Sequence, residues 1–317
     1  MLIKPRQLKL GDTIGIIAPA SPPPDPQNID RSVSALERLG FSTKLAAHVR
    51  KRRGFLAGTD RERAADLMGM FLNRSIKAII CLRGGYGAAR LLPRLDYPLI
   101  RAHPKIFVGY SDITSLHCAF LLKAGLVSFH GPMMNSDFVR PDLPKFTGDC
   151  FFRTVMNPLP PGSICQGYSR KTVSIWRRGM AKGPLIGGNL SILLASLGTP
   201  YCPDFKGRIL FFEDLNEEPY RFDRMLTQLL NAGLLQQVAG IAVGLNRDCH
   251  DPKADQTRDY RQTVDDVLRE RLLPLKVPIV AGLPFGHFPL NATLPLGIQA
   301  TLDARAGDLL ITEAAVT

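Results

Sequence analysis

A serine stands where an apolar segment of the chain gives way to a helical pattern. In KIFVGYSDITSLHCAF a strand-like run leads into Gly109, and Ser111 follows just before the helical spacing begins. A serine on such a sharp strand-to-helix turn exposes its hydroxyl at the carboxyl edge of a sheet, near the positive end of the helix. Ile113 replaces the second glycine of the full GxSxG pattern, and a helix-capping role for Ser111 or Asp112 is the alternative.

A histidine in a turn is the candidate base, because a serine hydroxyl needs a neighbouring group to remove its proton. His287 follows the strand-like VPIVAGL in LPFGHFPLNATLPLG, where Gly286 and nearby prolines hold an exposed ring in place. A plain surface role for His287 is the alternative. His117 lies too far around the helix to reach Ser111 and is predicted to be packed, whereas His130 follows a strand and could line the site. The remaining histidines lie in loop-like contexts: His48, His103 and His250.

Two adjacent carboxylates compete to orient that histidine. In RILFFEDLNEEPYRFDRML an apolar strand ends at Glu213, and Asp214 comes next. Side chains alternate between the faces of a strand, so only one of the two can point toward a shared site. A salt bridge to Arg221 or Arg224 is the alternative for either of them.

A glycine-rich segment, RGGYGAAR from Arg83 to Arg90, follows the strand-like KAIICL. It lacks the GxGxxG spacing of a dinucleotide-binding loop, since Arg90 stands where the third glycine belongs. Its backbone N–H groups beside the sheet edge suit an oxyanion hole instead. Arg83 is a candidate for binding a substrate carboxylate, and Asn189 in GGNL is a candidate for the pocket wall or for a helix cap.

The elements that position these residues alternate in the manner of an α/β protein. Short β-branched runs near Thr13, Lys77 and Ile106 alternate with helical patterns at 32–39 and 60–72, which predicts a parallel sheet. In the second half we expect helices at 189–197, 219–233 and 259–272 and strands at 208–214, 239–244 and 277–283, followed by a strand-rich tail. The predicted organisation is an N-terminal domain at 1–155, a Pro- and Gly-rich connector at 156–182 and a C-terminal domain at 183–317.

Composition limits the classes of function. The net charge is +12, but the basic residues are dispersed apart from HVRKRRGF, which we interpret as a solvated loop and not as a nucleic-acid site. No apolar run reaches the roughly 20 residues that span a bilayer, and no signal peptide is apparent, so a cytoplasmic protein without a membrane partner is expected. Six scattered cysteines predict reduced thiols, and no spacing indicates a metal or an organic cofactor.

The motifs together resemble the LD-carboxypeptidase family, which includes murein tetrapeptide carboxypeptidases. The resemblance spans GDTIGIIAPASPP, CLRGGYGAARLL, FVGYSDITSLH, FHGPMM, FFEDLNEEPYRFDRMLTQLLNAG and GLPFGHFPLNATLPLG. It implies that Ser111 is the nucleophile, His287 the general base and Glu213 the residue that orients it. It also implies an oxyanion hole formed by the amides of Gly85 and Asp112. The implied architecture is a Rossmann-like N-terminal domain facing a smaller β-rich C-terminal domain, in a homodimer without a cofactor.

The resemblance implies hydrolysis of the bond between the L-centre of diaminopimelate and a terminal D-alanine in muropeptides. Within the family, the alternative is an immunity peptidase of the microcin C type, which cleaves a peptidyl- or aminoacyl-nucleotide. Such an enzyme needs an aromatic surface on which the nucleobase of the substrate can stack. Trp176 could supply this surface, although a packed structural role is the alternative. A non-enzymatic protein that binds a small anionic ligand is the third hypothesis. Residues 162–178 are less similar to the family.

Overall fold

Two β-sheets form the framework of the protein. The computed structural model describes residues 2–140, 142–251 and 262–317. The strands, in chain order, are β1 (Thr13–Ile17), β2 (Ser42–Leu45), β3 (Ile76–Cys81), β4 (Ile106–Gly109), β5 (Phe129–His130), β6 (Gly162–Ser163), β7 (Ser174–Arg177), β8 (Met180–Asn189), β9 (Ile209–Glu213), β10 (Gly240–Gly244), β11 (Ile279–Leu283), β12 (Leu294–Pro295), β13 (Gln299–Asp303) and β14 (Asp308–Ile311).

Helices connect the parallel strands. The α-helices are α1 (Gln27–Arg38), α2 (Asp60–Leu72), α3 (Tyr97–Ala102), α4 (Thr114–Ala119), α5 (Lys145–Met156), α6 (Leu190–Leu194), α7 (Pro219–Asn231) and α8 (Val264–Leu272). Short 3₁₀ turns lie at Ala88–Arg94, Ser111–Ile113, Arg170–Thr172, Leu235–Gln237 and Leu273–Leu275, and π-helical turns at Phe120–Ala124 and Met134–Phe138. None of the helices in the described parts of the chain combines the length and the apolarity needed to span a lipid bilayer.

The first sheet has the strand order β12-β5-β4-β3-β1-β2, in which β1 to β5 are parallel and β12 is antiparallel to β5. The chain begins at β1, adds β2 on one side and then β3 on the other. The strand order therefore reverses between β1 and β3. In open parallel sheets ligands bind outside the carboxyl ends of the strands at such a reversal, so this edge of the first sheet is where a site is expected.

The second sheet has the order β6-β14-β13-β8-β9-β10-β11-β7, with a parallel centre from β8 to β11 and antiparallel strands on both sides. The central strands are buried and rich in apolar residues, which is typical of a sheet covered on both faces. Residues 156–182, the predicted connector, include β6, β7 and the start of β8, so they build edges of this sheet. The proposed domain boundaries remain a prediction.

The mixed α/β architecture with a parallel sheet in each half confirms the predicted fold class. The predicted helix at 60–72 is observed as α2, although Thr59 and not Asp60 caps it, in a reciprocal capping box with Glu62. Helix α1 begins five residues before the predicted start, and α6 is shorter than predicted. The first three residues of the predicted 259–272 helix lie outside the described residues, and the remainder contains α8.

Candidate active site

Ser111 occupies a strained turn between β4 and α4. Its φ angle is +63°, in the left-handed region that residues with a Cβ rarely adopt. Such strain persists only where the surrounding structure enforces it, and it is frequent at functional sites. Tyr110 and Ile113 occupy the N-cap positions of the two helical turns, and neither makes a side-chain cap. The Asp112 carboxylate accepts a hydrogen bond from Ala88 N, 2.8 Å away, so it is not a helix cap either.

A buried histidine is hydrogen-bonded to the end of β4, just before this turn. His117 Nε2 lies 2.8 Å from the carbonyl oxygen of Gly109, and its Nδ1 lies 2.8 Å from Ser128 Oγ. A carbonyl oxygen only accepts, so Nε2 carries the proton and Nδ1 accepts from the serine hydroxyl. Burial lowers the pKa of His117 to about 4 and keeps the ring neutral. His117 is therefore packed, as predicted.

The glycine loop after β3 lies directly against Ser111. A Cβ added to Gly84 would lie 2.8 Å from Ser111 Cβ and 3.2 Å from Asp112 N. Gly85 has a φ of +106°, and a Cβ there would lie 2.4 Å from Ser21 Oγ. A side chain at Gly84 would therefore clash with Ser111, and one at Gly85 would clash with Ser21. The close approach brings the backbone of Gly85, the predicted oxyanion donor, to the same cavity wall as Ser111.

On the opposite side, His287 and Glu213 form a buried pair. His287 Nδ1 lies 2.6 Å from Glu213 Oε2, and the glutamate side chain is fully buried. A carboxylate only accepts, so Nδ1 donates and the lone pair of Nε2 is left free to accept a proton. Burial disfavours the imidazolium, but the charge and hydrogen bond of Glu213 together with the charges of Asp214 and Asp137 outweigh it, and the pKa of His287 is raised. Gly286 has a φ of +111°, and a Cβ there would lie 2.8 Å from Glu213 Oε2.

Asp214 has a different set of partners from Glu213. Its carboxylate accepts hydrogen bonds from Asn189 Nδ2 at 2.8 Å, from Ser191 N at 2.8 Å and from its own neighbour Leu215 N at 2.9 Å. Burial, with the nearby charge of Glu213, raises the pKa of Asp214 to about 6. The contact with His287 thus belongs to Glu213, and Asp214 ties β9 to the start of α6.

The salt-bridge alternative for these carboxylates does not occur with Arg221, which pairs with Glu217 and Glu218.

The two sides meet at one cavity of about 440 Å³, formed where the carboxyl ends of both sheets face each other. Ser111 follows β4 and His287 follows β11, and the ring of Tyr110 packs edge-on against the His287 ring at a centroid distance of 4.9 Å. The lining residues are Pro24, Arg83, Gly84, Gly85, Tyr110, Ser111, Met133, Asn135, Ser136, Asp137, Arg140, Leu215, Arg247, His287 and Phe288. This volume suits a small peptide or a similar ligand.

Of the predicted substrate-binding residues, only Arg83 lines this cavity. It is half-buried, and burial lowers the pKa of its guanidinium. Asn189 instead caps α6 by accepting from Ile192 N at 3.3 Å, which is its alternative role. Trp176 lies on β7, with the Arg269 guanidinium 4.5 Å from its ring centroid. The structure brings neither Asn189 nor Trp176 to the cavity wall.

Three charged residues of the wall were not found from the sequence: Asp137, Arg140 and Arg247. Arg247 comes soon after β10, so the rule that sites lie beyond the carboxyl ends of parallel strands could have found it. Asp137 and Arg140 lie in or next to an irregular π-helical turn, for which the sequence gives no comparable signal.

Within the described residues, no group of three or more His, Cys, Asp or Glu side chains is arranged to hold a metal ion.

Comparison with known proteins identifies the family. Models described as the LD-carboxypeptidase N-terminal and C-terminal domains match residues 14–131 and 182–302. A probable murein peptide carboxypeptidase of Bacillus subtilis is 40% identical over 309 residues, which cover 95% of this chain and 91% of that protein.

Two solved structures extend this comparison. The muramoyltetrapeptide carboxypeptidase of Oxalobacter formigenes has a TM-score of 0.80 at 36% identity, covering 94% of this chain and 97% of that one. Microcin C7 self-immunity protein MccF in complex with aspartyl sulfamoyl adenosine has a TM-score of 0.89 at 27% identity, covering 99% of this chain and 100% of that one. The chain therefore belongs to the LD-carboxypeptidase family of peptidases.

Proposed function

We propose that this peptidase is a serine LD-carboxypeptidase that releases the terminal D-alanine from murein tetrapeptides during cell-wall recycling. One observation carries the proposal: the strained Ser111 lines the same cavity as His287, whose Nδ1 is held by the buried Glu213. This is the set of groups that activates a serine hydroxyl for acyl transfer. The relatives named as murein peptide carboxypeptidases support the choice of substrate.

In the proposed reaction, Ser111 Oγ attacks the carbonyl carbon on the L-centre of diaminopimelate, and His287 Nε2 takes the hydroxyl proton. Glu213 stabilises the imidazolium through Nδ1–H without itself being protonated. The C–N bond then breaks, and His287 gives the proton to the departing D-alanine amine, which leaves an acyl-enzyme. Water, deprotonated by His287, hydrolyses the ester and restores Ser111.

The tetrahedral oxyanion is assigned to the backbone amides of Gly85 and Asp112. The close packing of the glycine loop on Ser111 supports this assignment, and a single such donor can contribute about 3 kcal/mol to the transition state. Three arginine residues line the cavity: Arg83, Arg140 and Arg247. They suit a substrate with several carboxylates, including the terminal one that a carboxypeptidase must recognise.

A second candidate is a peptidase that cleaves a peptidyl- or aminoacyl-nucleotide. The similarity of the whole fold to MccF with aspartyl sulfamoyl adenosine favours it. Trp176, the residue considered for stacking on a nucleobase, does not line the cavity, which is evidence against this candidate. A purely ligand-binding protein has less support, because such a protein has no need of a histidine–glutamate pair beside a strained serine.

A side-by-side digestion tests the proposal. Purified enzyme is incubated with a tetrapeptide ending in D-alanine, a pentapeptide ending in D-alanyl-D-alanine and a peptidyl-nucleotide analogue, and the products are measured by mass spectrometry. We expect D-alanine from the tetrapeptide only, because a D-centre on the acyl side misplaces the carbonyl and costs about a hundredfold in rate. Preference for the pentapeptide would contradict LD specificity, and preference for the nucleotide conjugate would establish the second candidate.

We also propose that the protein is a cytoplasmic homodimer, as the family resemblance implies. Light scattering coupled to size-exclusion chromatography would test the dimer, and fractionation of cells would test the location.

A further inference from the structure

The catalytic cavity contains charges of both signs. Arg83, Arg140 and Arg247 contribute three positive groups, whereas Asp137 is the one carboxylate among the described residues that line it. The proposed reaction uses the serine, the histidine and the glutamate but gives Asp137 no role. A ligand with carboxylates alone would explain the three guanidinium groups and leave the buried carboxylate unexplained.

Asp137 lies in the π-helical turn Met134–Phe138 and is only 2% exposed. Its Oδ2 accepts a hydrogen bond from Met133 N at 2.9 Å. A carboxylate can accept about four hydrogen bonds, so this backbone donor and the neighbouring Tyr110 hydroxyl leave capacity for a further partner. Burial raises the pKa of Asp137 to about 6, although Met133 N–H, Arg140 and the Tyr110 hydroxyl oppose the shift. These neighbours only partly offset the cost of burying the negative charge of Asp137. A cationic group of a bound ligand would stabilise this charge further.

Arg140 stands beside this carboxylate on the same segment. Its Nε donates to the carbonyl of Ser136 at 3.0 Å, and its backbone N–H donates to the carbonyl of Asp137 at 3.2 Å. These bonds hold the two residues next to each other, and both line the cavity. A carboxylate and a guanidinium held side by side match an ammonium and a carboxylate attached to one carbon.

We propose that Asp137 binds the side-chain ammonium of the residue whose carbonyl is attacked, and that Arg140 binds the carboxylate on the same carbon. The substrate class is then a peptide with a zwitterionic diamino-dicarboxylic acid at this position. This inference rests on the proposed function and adds to it the residues that select the third amino acid of the peptide. The contact at Asp137 distinguishes a peptide with a side-chain ammonium from a purely acidic peptide. The other charged residues of the cavity favour any acidic peptide.

The test varies the protein and the substrate together. Wild type and Asp137→Asn are assayed with three tetrapeptides that differ only in the third residue, which is diaminopimelate, lysine or 2-aminopimelate. Lysine keeps the side-chain ammonium without the carboxylate. 2-Aminopimelate keeps the side-chain carboxylate without the ammonium. Asparagine preserves the shape and an acceptor for Met133 N–H. Asp142→Asn, at an exposed position five residues away, controls for the loss of one negative charge. Thermal unfolding confirms that each variant is folded.

We expect Asp137→Asn to lower kcat/KM about 10- to 100-fold for the diaminopimelate and lysine peptides and to leave the 2-aminopimelate peptide within about twofold of wild type. Asp142→Asn should change none of the three. Equal losses for all three peptides would overturn the inference, because Asp137 also adds to the negative charge around His287 and would then act only on the base. If wild type releases D-alanine from none of them, the proposed function fails and this inference fails with it.

Discussion

The two sides of the cavity hold Ser111 and His287 by different means. On the first sheet, the backbone positions Ser111: its φ is +63°, Gly84 packs against its Cβ, and neutral His117 binds the carbonyl of Gly109. On the second sheet, a charged side-chain pair positions His287, since fully buried Glu213 holds its Nδ1. We therefore expect substitutions near Ser111 to affect activity by changing the backbone geometry. Substitutions near His287 should affect activity mainly by changing the charge around its ring.

The largest effect is expected from removing either reactive group. Ser111→Ala and His287→Ala should each lower kcat by roughly a thousandfold or more, because nucleophile and base act as a unit. Both variants should remain folded, since alanine at position 111 carries the same Cβ at the same φ. Release of D-alanine measures turnover, and circular dichroism measures folding. Ser115→Ala, in the same helical region, is the control for loss of a hydroxyl. Near-normal turnover by folded Ser111→Ala would refute the serine mechanism.

The second prediction separates the two adjacent carboxylates. Glu213→Gln should lower kcat by about 10²- to 10⁴-fold, because glutamine neither stabilises the imidazolium nor holds the required tautomer. Asp214→Asn should instead lower the free energy of unfolding by about 1–3 kcal/mol, since its amide would face the donors Asn189 Nδ2 and Ser191 N.

Turnover assays and urea unfolding of both variants give the two effects separately. If Asp214→Asn proved the catalytically damaging change and Glu213→Gln were silent, the orienting role would belong to Asp214.

These two carboxylates show what the sequence can and cannot predict. Alternation along β9 indicates that Glu213 and Asp214 point to different sides, but which side faces the cavity depends on how the second sheet packs. The helix α2 was predicted with the correct ends because its apolar spacing is a local signal, although the cap is Thr59, in a capping box with Glu62, and not the predicted Asp60. The resemblance to the family, not the residue pattern, selected Glu213, and the contact with His287 agrees with it.

The residues missed by sequence analysis lie where local patterns carry no information. Asp137 and Arg140 belong to or follow a π-helical turn, and only the folded chain places them beside Ser111. Asn189 and Trp176 were considered for the pocket because of their residue types. The helix cap that Asn189 makes is local and was its stated alternative, whereas the guanidinium that packs on Trp176 belongs to Arg269, a tertiary neighbour that the sequence alone does not give.

The third prediction tests the position of Glu213 through a glycine. Gly286→Ala should lower kcat about 10- to 100-fold and the free energy of unfolding by about 1–3 kcal/mol, because its φ is +111° and the new Cβ would meet Glu213 Oε2 at 2.8 Å. Gly11→Ala is the matched control: its φ is also positive, at +83°, but a Cβ there would meet nothing within 4 Å. Equal effects in the two variants would show that backbone strain alone is responsible.

The fourth prediction concerns the pH dependence of the reaction. His287 must be neutral to accept the Ser111 proton, and its pKa is raised, because the carboxylates of Glu213, Asp214 and Asp137 together outweigh the effect of burial. As the pH falls, kcat/KM should therefore decline with a midpoint above 6.5, the ordinary value for histidine. A pH–rate profile with a non-ionising peptide analogue measures this midpoint. A midpoint below 6.5 would mean that burial, and not the charge of Glu213, dominates on this side of the cavity.

The smallest effect on turnover is expected on the first side, where His117 should make stability and not catalysis sensitive to acid. Its pKa is about 4 in the folded protein and 6.5 when unperturbed, so between these values only the unfolded chain binds the proton. The free energy of unfolding therefore falls as the pH decreases through this window, by about 3 kcal/mol in total.

Urea unfolding of wild type and His117→Gln at pH 7 and pH 4 measures this change in the free energy of unfolding. We expect wild type to lose about 3 kcal/mol more than the variant, because contributions from other buried groups cancel in the difference. Exposed His250→Gln controls for removal of an imidazole. Parallel losses in wild type and His117→Gln would show that the ring beneath Ser111 accepts a proton while folded, and the two sides of the cavity would then both depend on charge.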